Sequence, residues 1–216
     1  MIHVMKAVIF DMDGVLVLTE KMHYSLYKDV LKKHGFSLTP AEYATYFAGK
    51  RTKEAFESYL HKHSYLESSD SLVKKFRSLK RDILFNALKE YVELRKDTAS
   101  LLIDLKKKYA LAIATSTIKE FTNIIVTSFN INQYFTVIVY AEDVAHGKPD
   151  PEVYLTAAKR LGISPSDCIV IEDAQNGVDA AKNAGMKCVS IGPSSLQHAD
   201  YHVTNFKELQ KLLHSI

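Results

Sequence analysis

Five short, almost wholly apolar runs, each broken off sharply by polar residues, constrain this chain more than any other feature. Val4, Ala7, Val8, Ile9 and Phe10 stop at Asp11, and Leu111 to Ala114, Val137 to Tyr140, Cys168 to Ile171 and Cys188 to Ile191 end in the same way. Runs of this length, rich in β-branched residues, predict strands buried on both faces. Between the later runs lie segments of helical spacing, Val153 to Leu161 closed by Gly162 and Val178 to Ala184 closed by Gly185, each glycine standing where a helix ends. Alternating strand and helix predicts an α/β fold with a mostly parallel sheet, and puts ligands beyond the C-terminal ends of the strands.

Between residues 16 and 93 the pattern changes. Strand-like runs vanish, and apolar residues recur at helical spacing, as in Leu72, Phe76, Leu79 and Ile83. This predicts a helical unit over 16–93 inserted after the first strand, with a discontinuous α/β core made of 1–15 and 94–216. Charge divides along the same line: the insertion carries 14 Lys or Arg against 10 Asp or Glu, the remainder 14 against 15. Over all 216 residues the formal net charge is only +3, which gives no ground for nucleic-acid binding. A composition 47% hydrophobic and 25% charged excludes a disordered, collagen-like or disulfide-stapled chain. Cys168 and Cys188 each sit inside an apolar run and are expected as buried, reduced thiols. No signal-like segment is present and no apolar run nears the roughly 18 residues of a membrane span. The expectation is a cytoplasmic protein without a membrane or nucleic-acid partner, monomeric or weakly dimeric.

The chemistry concentrates where strands end. Asp11-Met12-Asp13-Gly14-Val15 follows the first run, and carboxylates at i and i+2 can turn into one crevice as the chain leaves the sheet. One can serve as a nucleophile while the other, held protonated, donates to a leaving group. Glu172-Asp173 ends the fourth run and brings a second acidic pair to the same edge. Such a cluster repels itself without a cation, and an all-oxygen donor set suits Mg²⁺; calcium is the competitor, but there is no EF-hand loop pattern. Thr115-Ser116-Thr117 after the second run offers hydroxyls and backbone N–H groups near a helix start, donors that suit a phosphate. Gly147-Lys148-Pro149-Asp150-Pro151 presents one lysine on a stiff turn, with Pro151 suited to a first helical turn. It is not a Walker A loop, because the earlier glycine and the following Ser or Thr are missing.

In this order, DMDGVLV at 11–17, ATST at 114–117, GKPDP at 147–151 and IEDAQNGVDAAKNAG at 171–185 resemble the haloacid dehalogenase superfamily over nearly the whole chain. They look like its helical-cap subgroup, which contains sugar-phosphate phosphatases and β-phosphoglucomutase. The resemblance implies a Rossmann-like core with a helical cap inserted after strand one. It also implies Asp11 as nucleophile, Asp13 as general acid and base, Thr115 as phosphate ligand and Lys148 as the cation that steadies the phosphoryl group. Ser116 and Thr117 join the substrate-binding set. The implied Mg²⁺ side comprises Asp11, Glu172 and Asp173, with Asp13 contributing its backbone carbonyl.

Specificity is expected from the insertion. Gly49-Lys50-Arg51-Thr52-Lys53-Glu54 resembles the cap segment that reaches over the site, which makes Arg51 and Thr52 candidate substrate contacts. Thr19 and His23 fall where the family has hinge or substrate-proximal groups. Lys74, Lys75, Arg77, Lys80 and Arg81 lie mostly off the Leu72, Phe76, Leu79 and Ile83 stripe and are expected to form a solvated face. Three positions depart from the family pattern. Leu18 stands where relatives commonly carry Asp, Arg95-Lys96-Asp97 where many have Pro-Gly, and Thr52 where the mutase has its arginine for the distal phosphate, with Arg51 one residue earlier. The expected activity is Mg²⁺-dependent hydrolysis of a small-molecule phosphate ester, such as a sugar phosphate, through an aspartyl-phosphate. The alternatives are a β-phosphoglucomutase-type isomerase and a non-enzymatic phospho-aspartate receiver; a receiver needs no cap.

Overall fold

Ala7, Val8, Ile9 and Phe10 form β1 (Ala7–Phe10), buried at every position, with Ala7 and Ile9 on one face and Val8 and Phe10 on the other. The computed structural model describes residues 5–64 and 69–216, so Val4 of the first apolar run lies outside the described residues. After β1 come the two-residue strand β2 (Val17–Leu18) and the helices α1 (Glu20–Lys32), α2 (Pro40–Tyr46), α3 (Thr52–Lys62), α4 (Asp70–Asn86) and α5 (Leu88–Tyr91). The chain returns through β3 (Glu93–Leu94), which pairs antiparallel with β2, and enters α6 (Thr98–Leu105). From there strand and helix alternate: β4 (Ala110–Ala114), α7 (Lys119–Ser128), β5 (Val137–Val139), α8 (Glu152–Leu161), β6 (Cys168–Glu172), α9 (Gln175–Asn183) and β7 (Lys187–Ile191). β8 (Tyr201–Val203) and α10 (Phe206–Ser215) complete the described fold.

Among the described residues, six strands make one sheet of order β5-β4-β1-β6-β7-β8 with every neighbouring pair parallel. The order reverses around β1, whose Phe10 lies in register with both Ile113 and Ile171. Such a switch point opens a crevice at the C-terminal strand ends, and the acidic pairs leave the sheet there. The face carrying Ile9, Ala112 and Val170 is covered by α8 and α9 through Tyr154, Ala157, Val178 and Ala181. The opposite face buries Phe10, Ile113 and Ile171 with Leu101, Leu105, Ile125 and Leu209 of α6, α7 and α10. Cys168 and Cys188 are buried free thiols, as their apolar settings predict. The edge strand β8 is missing from the sequence-based expectation, because Tyr-His-Val is too short and too polar to read as a strand.

In the inserted helices, aromatic rings pack from one helix to the next. Tyr27 of α1 stacks on Phe76 of α4 with ring centroids 4.2 Å apart and meets Phe47 at 4.4 Å. The buried side of α4 is Leu72, Val73, Phe76, Lys80 and Leu84, so the predicted stripe is rotated: Leu79 and Ile83 are half-buried and a lysine sits in the apolar row. Where the chain re-enters the sheet unit, Asp97 adopts φ +68. This supplies the left-handed residue that a Pro-Gly turn would provide, at a position where Asp tolerates it. Arg95 ties the two crossing segments by donating Nε to Val15 O at 2.8 Å and Nη2 to Gly14 O.

Candidate active site

Lys148 is buried at the end of the turn before α8, and its ammonium has three acceptors. It donates to Asp11 Oδ1 at 2.6 Å, Glu172 Oε1 at 2.7 Å and Ala114 O at 3.2 Å. Three strand ends, those of β1, β4 and β6, thus converge on one cation. Glu172 is fully enclosed: Oε1 also accepts from the Tyr154 hydroxyl at 2.7 Å, and Oε2 accepts from the N–H groups of Asp173 and Ala174 at 2.9 and 3.1 Å. Two glycines make room for this arrangement. Gly14 (φ +82) has no side chain because a Cβ there would land on Asp173 Oδ2, and a Cβ on Gly177 would land on Glu172 Oε1.

Carboxylate oxygens of Asp11, Glu172 and Asp173 lie within 4.8 Å of one another. Burial pushes the Asp11 carboxyl up to about 8, with Glu172 and Asp13 adding to the rise and Lys148 opposing it. Asp173 is driven well above the ordinary carboxylate range by burial, then by Glu172 and Asp11. Ionising all three acids around a single ammonium would leave negative charge uncompensated, and an oxygen-donor set of this kind fits a hard divalent cation that would balance it. Asp11, Glu172 and Asp173 are therefore the side chains able to hold one.

The fourth acid points elsewhere. Asp13 Oδ1 accepts from Thr19 Oγ1 and Oδ2 from Thr117 Oγ1, each at 2.6 Å. His23 Nε2 stands 3.9 Å from Oδ1, and Lys80 Nζ lies 2.8 Å from that same imidazole nitrogen. An ammonium has no lone pair, so Nε2 must be the acceptor and the ring proton sits on Nδ1. Burial, with Lys80 alongside, pushes His23 down to about 3, so the imidazole is neutral. Burial also works against ionising Asp13, but the Lys80 charge and the Thr117 and Thr19 hydroxyls outweigh it and hold the carboxyl below its usual range.

Lys80 is not on a solvated face as the spacing implied: it is buried, while Lys74, Lys75, Arg77 and Arg81 are exposed. The signal was present, because Leu72, Phe76, Lys80 and Leu84 repeat every four residues and put the lysine in the apolar row. Tyr154 carries no such signal in the sequence, since nothing local marks a tyrosine in an apolar helix face as hydrogen-bonded to a carboxylate. Of the Thr115-Ser116-Thr117 set, Thr115 is buried with Oγ1 accepting from Thr117 N at 3.1 Å, Thr117 binds Asp13, and Ser116 reaches toward Gly49 O at 3.5 Å.

Arg51 directly precedes α3 and Thr52 begins it, at the rim of a cavity of about 620 Å³ that Asp11, Asp13, Thr115 and Lys148 line from the sheet side. The Arg51 guanidinium is already engaged. It donates to the carbonyls of Ala141, Val144 and Ala145 at 2.6, 2.7 and 2.9 Å, across from the inserted helices to the loop after β5. A second tie joins α4 to α7, where Arg81 Nε and Nη2 each donate to Glu120 at 2.8 Å. Arg77 also lines the cavity from the insertion, as does Lys50, whose ammonium donates to Thr45 O at 3.0 Å.

A buried lysine clasped between the carboxylates of two adjacent strand ends puts the site at the switch point of a parallel α/β sheet, where such folds bind their ligands. Residues 8–191 match the haloacid dehalogenase-like hydrolases, and the chain belongs to that family. A phosphorylated carbohydrates phosphatase of Thermotoga maritima is 33% identical over 183 residues, covering 85% of this chain and 83% of the relative. A β-phosphoglucomutase of Bacillus subtilis is 32% identical over 221 residues, covering 97% of this chain and 94% of the relative. Among solved structures, β-phosphoglucomutase from Clostridium difficile superposes with TM-score 0.85 at 25% identity, covering 98% of each chain. The chain is an enzyme, a phosphoric monoester hydrolase of this family. No described helix is long and apolar enough to cross a membrane.

Proposed function

We propose that the protein is a Mg²⁺-dependent phosphatase that hydrolyses a small phosphorylated metabolite of the sugar-phosphate class through an aspartyl-phosphate on Asp11. The observation that carries this reading is the contrast between two acids at one strand end: Asp11 against Lys148, and Asp13 among hydroxyls beside a second buried lysine. A bound divalent cation would supply the positive charge that keeps Asp11 ionised and compensates the transferring phosphoryl group. Asp11 Oδ forms the bond to phosphorus as the ester P–O bond breaks, and the departing alkoxide takes a proton from Asp13. Water then attacks the acyl phosphate, Asp13 receives its proton, and inorganic phosphate leaves. Asp13 is ionised beside Lys80, which suits the second half. The proton that Asp13 receives from water in the second half is the one it donates to the alkoxide in the next turnover.

This reading treats 16–93 as a cap over a core of 1–15 and 94–216, in a cytoplasmic monomer or weak dimer. Thr115 and Ser116 serve as phosphate-side donors, Thr52 and His23 as substrate-side groups. The likeness to β-phosphoglucomutases favours a second reading, in which the phosphoryl group returns to the sugar. Arg51 argues for hydrolysis, since its guanidinium is held by loop carbonyls rather than free for a distal phosphate. The test incubates the protein with Mg²⁺ and a panel of phosphate esters, including β-glucose 1-phosphate with a bisphosphate primer, and quantifies free phosphate and isomerised sugar. Free phosphate that disappears with Asp11→Asn supports the phosphatase. Glucose 6-phosphate without free phosphate would establish the mutase, and a stable aspartyl-phosphate without turnover the receiver.

A further inference from the structure

Tyr154 lies in the apolar layer between the sheet and α8, among Val153, Ala157, Ala158, Val170 and Val178, with none of its surface exposed. Alone among the buried hydrophobic side chains of that layer in the described residues it carries a hydroxyl, where phenylalanine would fill the same space. That hydroxyl donates at 2.7 Å to Glu172 Oε1, the oxygen that also takes a proton of Lys148 at 2.7 Å. The ring lies beneath the same ammonium, with Nζ 4.9 Å from its centroid.

Lys148 has three N–H groups, spent on Asp11, Glu172 and Ala114. Glu172 accepts two bonds on Oε2 from backbone and two on Oε1, from Lys148 and Tyr154. Without the phenol, Lys148 is the only donor left to Oε1, and a buried carboxylate oxygen short of a donor draws harder on its remaining cation. The ammonium would then shift from Asp11 toward Glu172, and Glu172 would turn relative to Asp11 and Asp173.

We propose that Tyr154 is a positioning residue that satisfies Glu172 so that Lys148 stays on Asp11 and the three carboxylates keep their spacing. The inference rests on the phosphatase reading, in which those carboxylates face a divalent cation. Tyr154→Phe keeps the ring and removes only the hydroxyl. Tyr109→Phe is the control, a buried tyrosine whose hydroxyl donates to Leu213 O at 2.5 Å at the far end of the fold. Circular dichroism checks folding, calorimetry measures Mg²⁺ binding to the substrate-free protein, and steady-state kinetics separate kcat from KM.

The expected result for Tyr154→Phe is a loss of about 10- to 100-fold in both Mg²⁺ affinity and kcat, with KM within about twofold of wild type, while Tyr109→Phe changes neither. Wild-type affinity and kcat in Tyr154→Phe, or equal losses in Tyr109→Phe, would overturn the assignment while leaving the phosphatase reading intact. Wild-type protein that neither binds Mg²⁺ nor cleaves an ester would overturn both. Should Tyr154→Phe not fold, Glu172→Gln takes its place in the same assays. Retained Mg²⁺ affinity and kcat there would overturn the assignment, because the tyrosine would have no charge to satisfy.

Discussion

Replacing Asp11 with Asn should abolish turnover and, without a divalent cation, make the protein more stable. An unfolded chain ionises this carboxyl near 3.8, whereas in the fold burial and the neighbouring Glu172 and Asp13 raise it to about 8 against the pull of Lys148. Between those two pH values the folded state keeps a proton that the unfolded state has lost, so stability falls as pH rises. At about 1.4 kcal/mol per pH unit, the cation-free fold surrenders roughly 3–6 kcal/mol by pH 8. Asparagine does not ionise, yet its Oδ1 can still accept from Lys148, which lies 2.6 Å from the aspartate oxygen. In a domain of this size the relief corresponds to a rise in melting temperature on the order of 10 °C. Thermal melts in chelator at pH 5, 6.5 and 8 should show the two proteins diverging as pH rises, while turnover with Mg²⁺ falls about 10³-fold or more. A variant that melts at or below wild type at pH 8 in chelator would refute the electrostatic account. Substantial remaining turnover would refute the nucleophile.

Three other perturbations probe different parts of the site. Lys80→Met removes the buried cation beside His23 and Asp13, so the Asp13 carboxyl should rise and the acid limb of the pH–rate profile move to higher pH; an unmoved limb would mean that Lys80 does not tune Asp13. Gly177→Ala puts a Cβ on Glu172 Oε1, where Gly162→Ala meets nothing within 4 Å. Urea titration should show a cost of about 1–3 kcal/mol at Gly177, together with lost activity, and at Gly162 only backbone strain of about 1 kcal/mol with activity kept. Arg51→Ala severs three bonds between α3 and the loop after β5. Small-angle scattering should then report a larger radius of gyration, and a profile identical to wild type would show that the clasp does not hold the inserted helices down.

Strand positions were legible because each is a local pattern: an apolar run, a stop, and later a helix closed by Gly162 or Gly185 in the left-handed conformation. The same locality exposed Asp11, Lys148, Glu172 and Asp173, since residues that leave parallel strands at their C-terminal ends meet at one edge whatever the details. β8 was not legible, because three residues on a sheet edge carry too little pattern. A stripe through Leu79 and Ile83 leaves Lys80 outside the apolar row, whereas the docking of α4 rotates the buried side through Lys80 and Leu84.

From residue order alone come the α/β alternation, the acidic strand ends and the lysine-bearing turn, for these depend on neighbours in the chain. Tertiary structure alone decided that Lys148 lies between Asp11 and Glu172, 137 and 24 residues away. It also decided that Asp13 turns from the other acids toward Thr19, Thr117 and the His23–Lys80 pair, and that Arg51 grips a loop rather than the cavity. The reason is physical: a side chain's charge state and partner depend on what burial leaves within about 3 Å of it, and that is set by how helices and strands distant in sequence come to rest against one another.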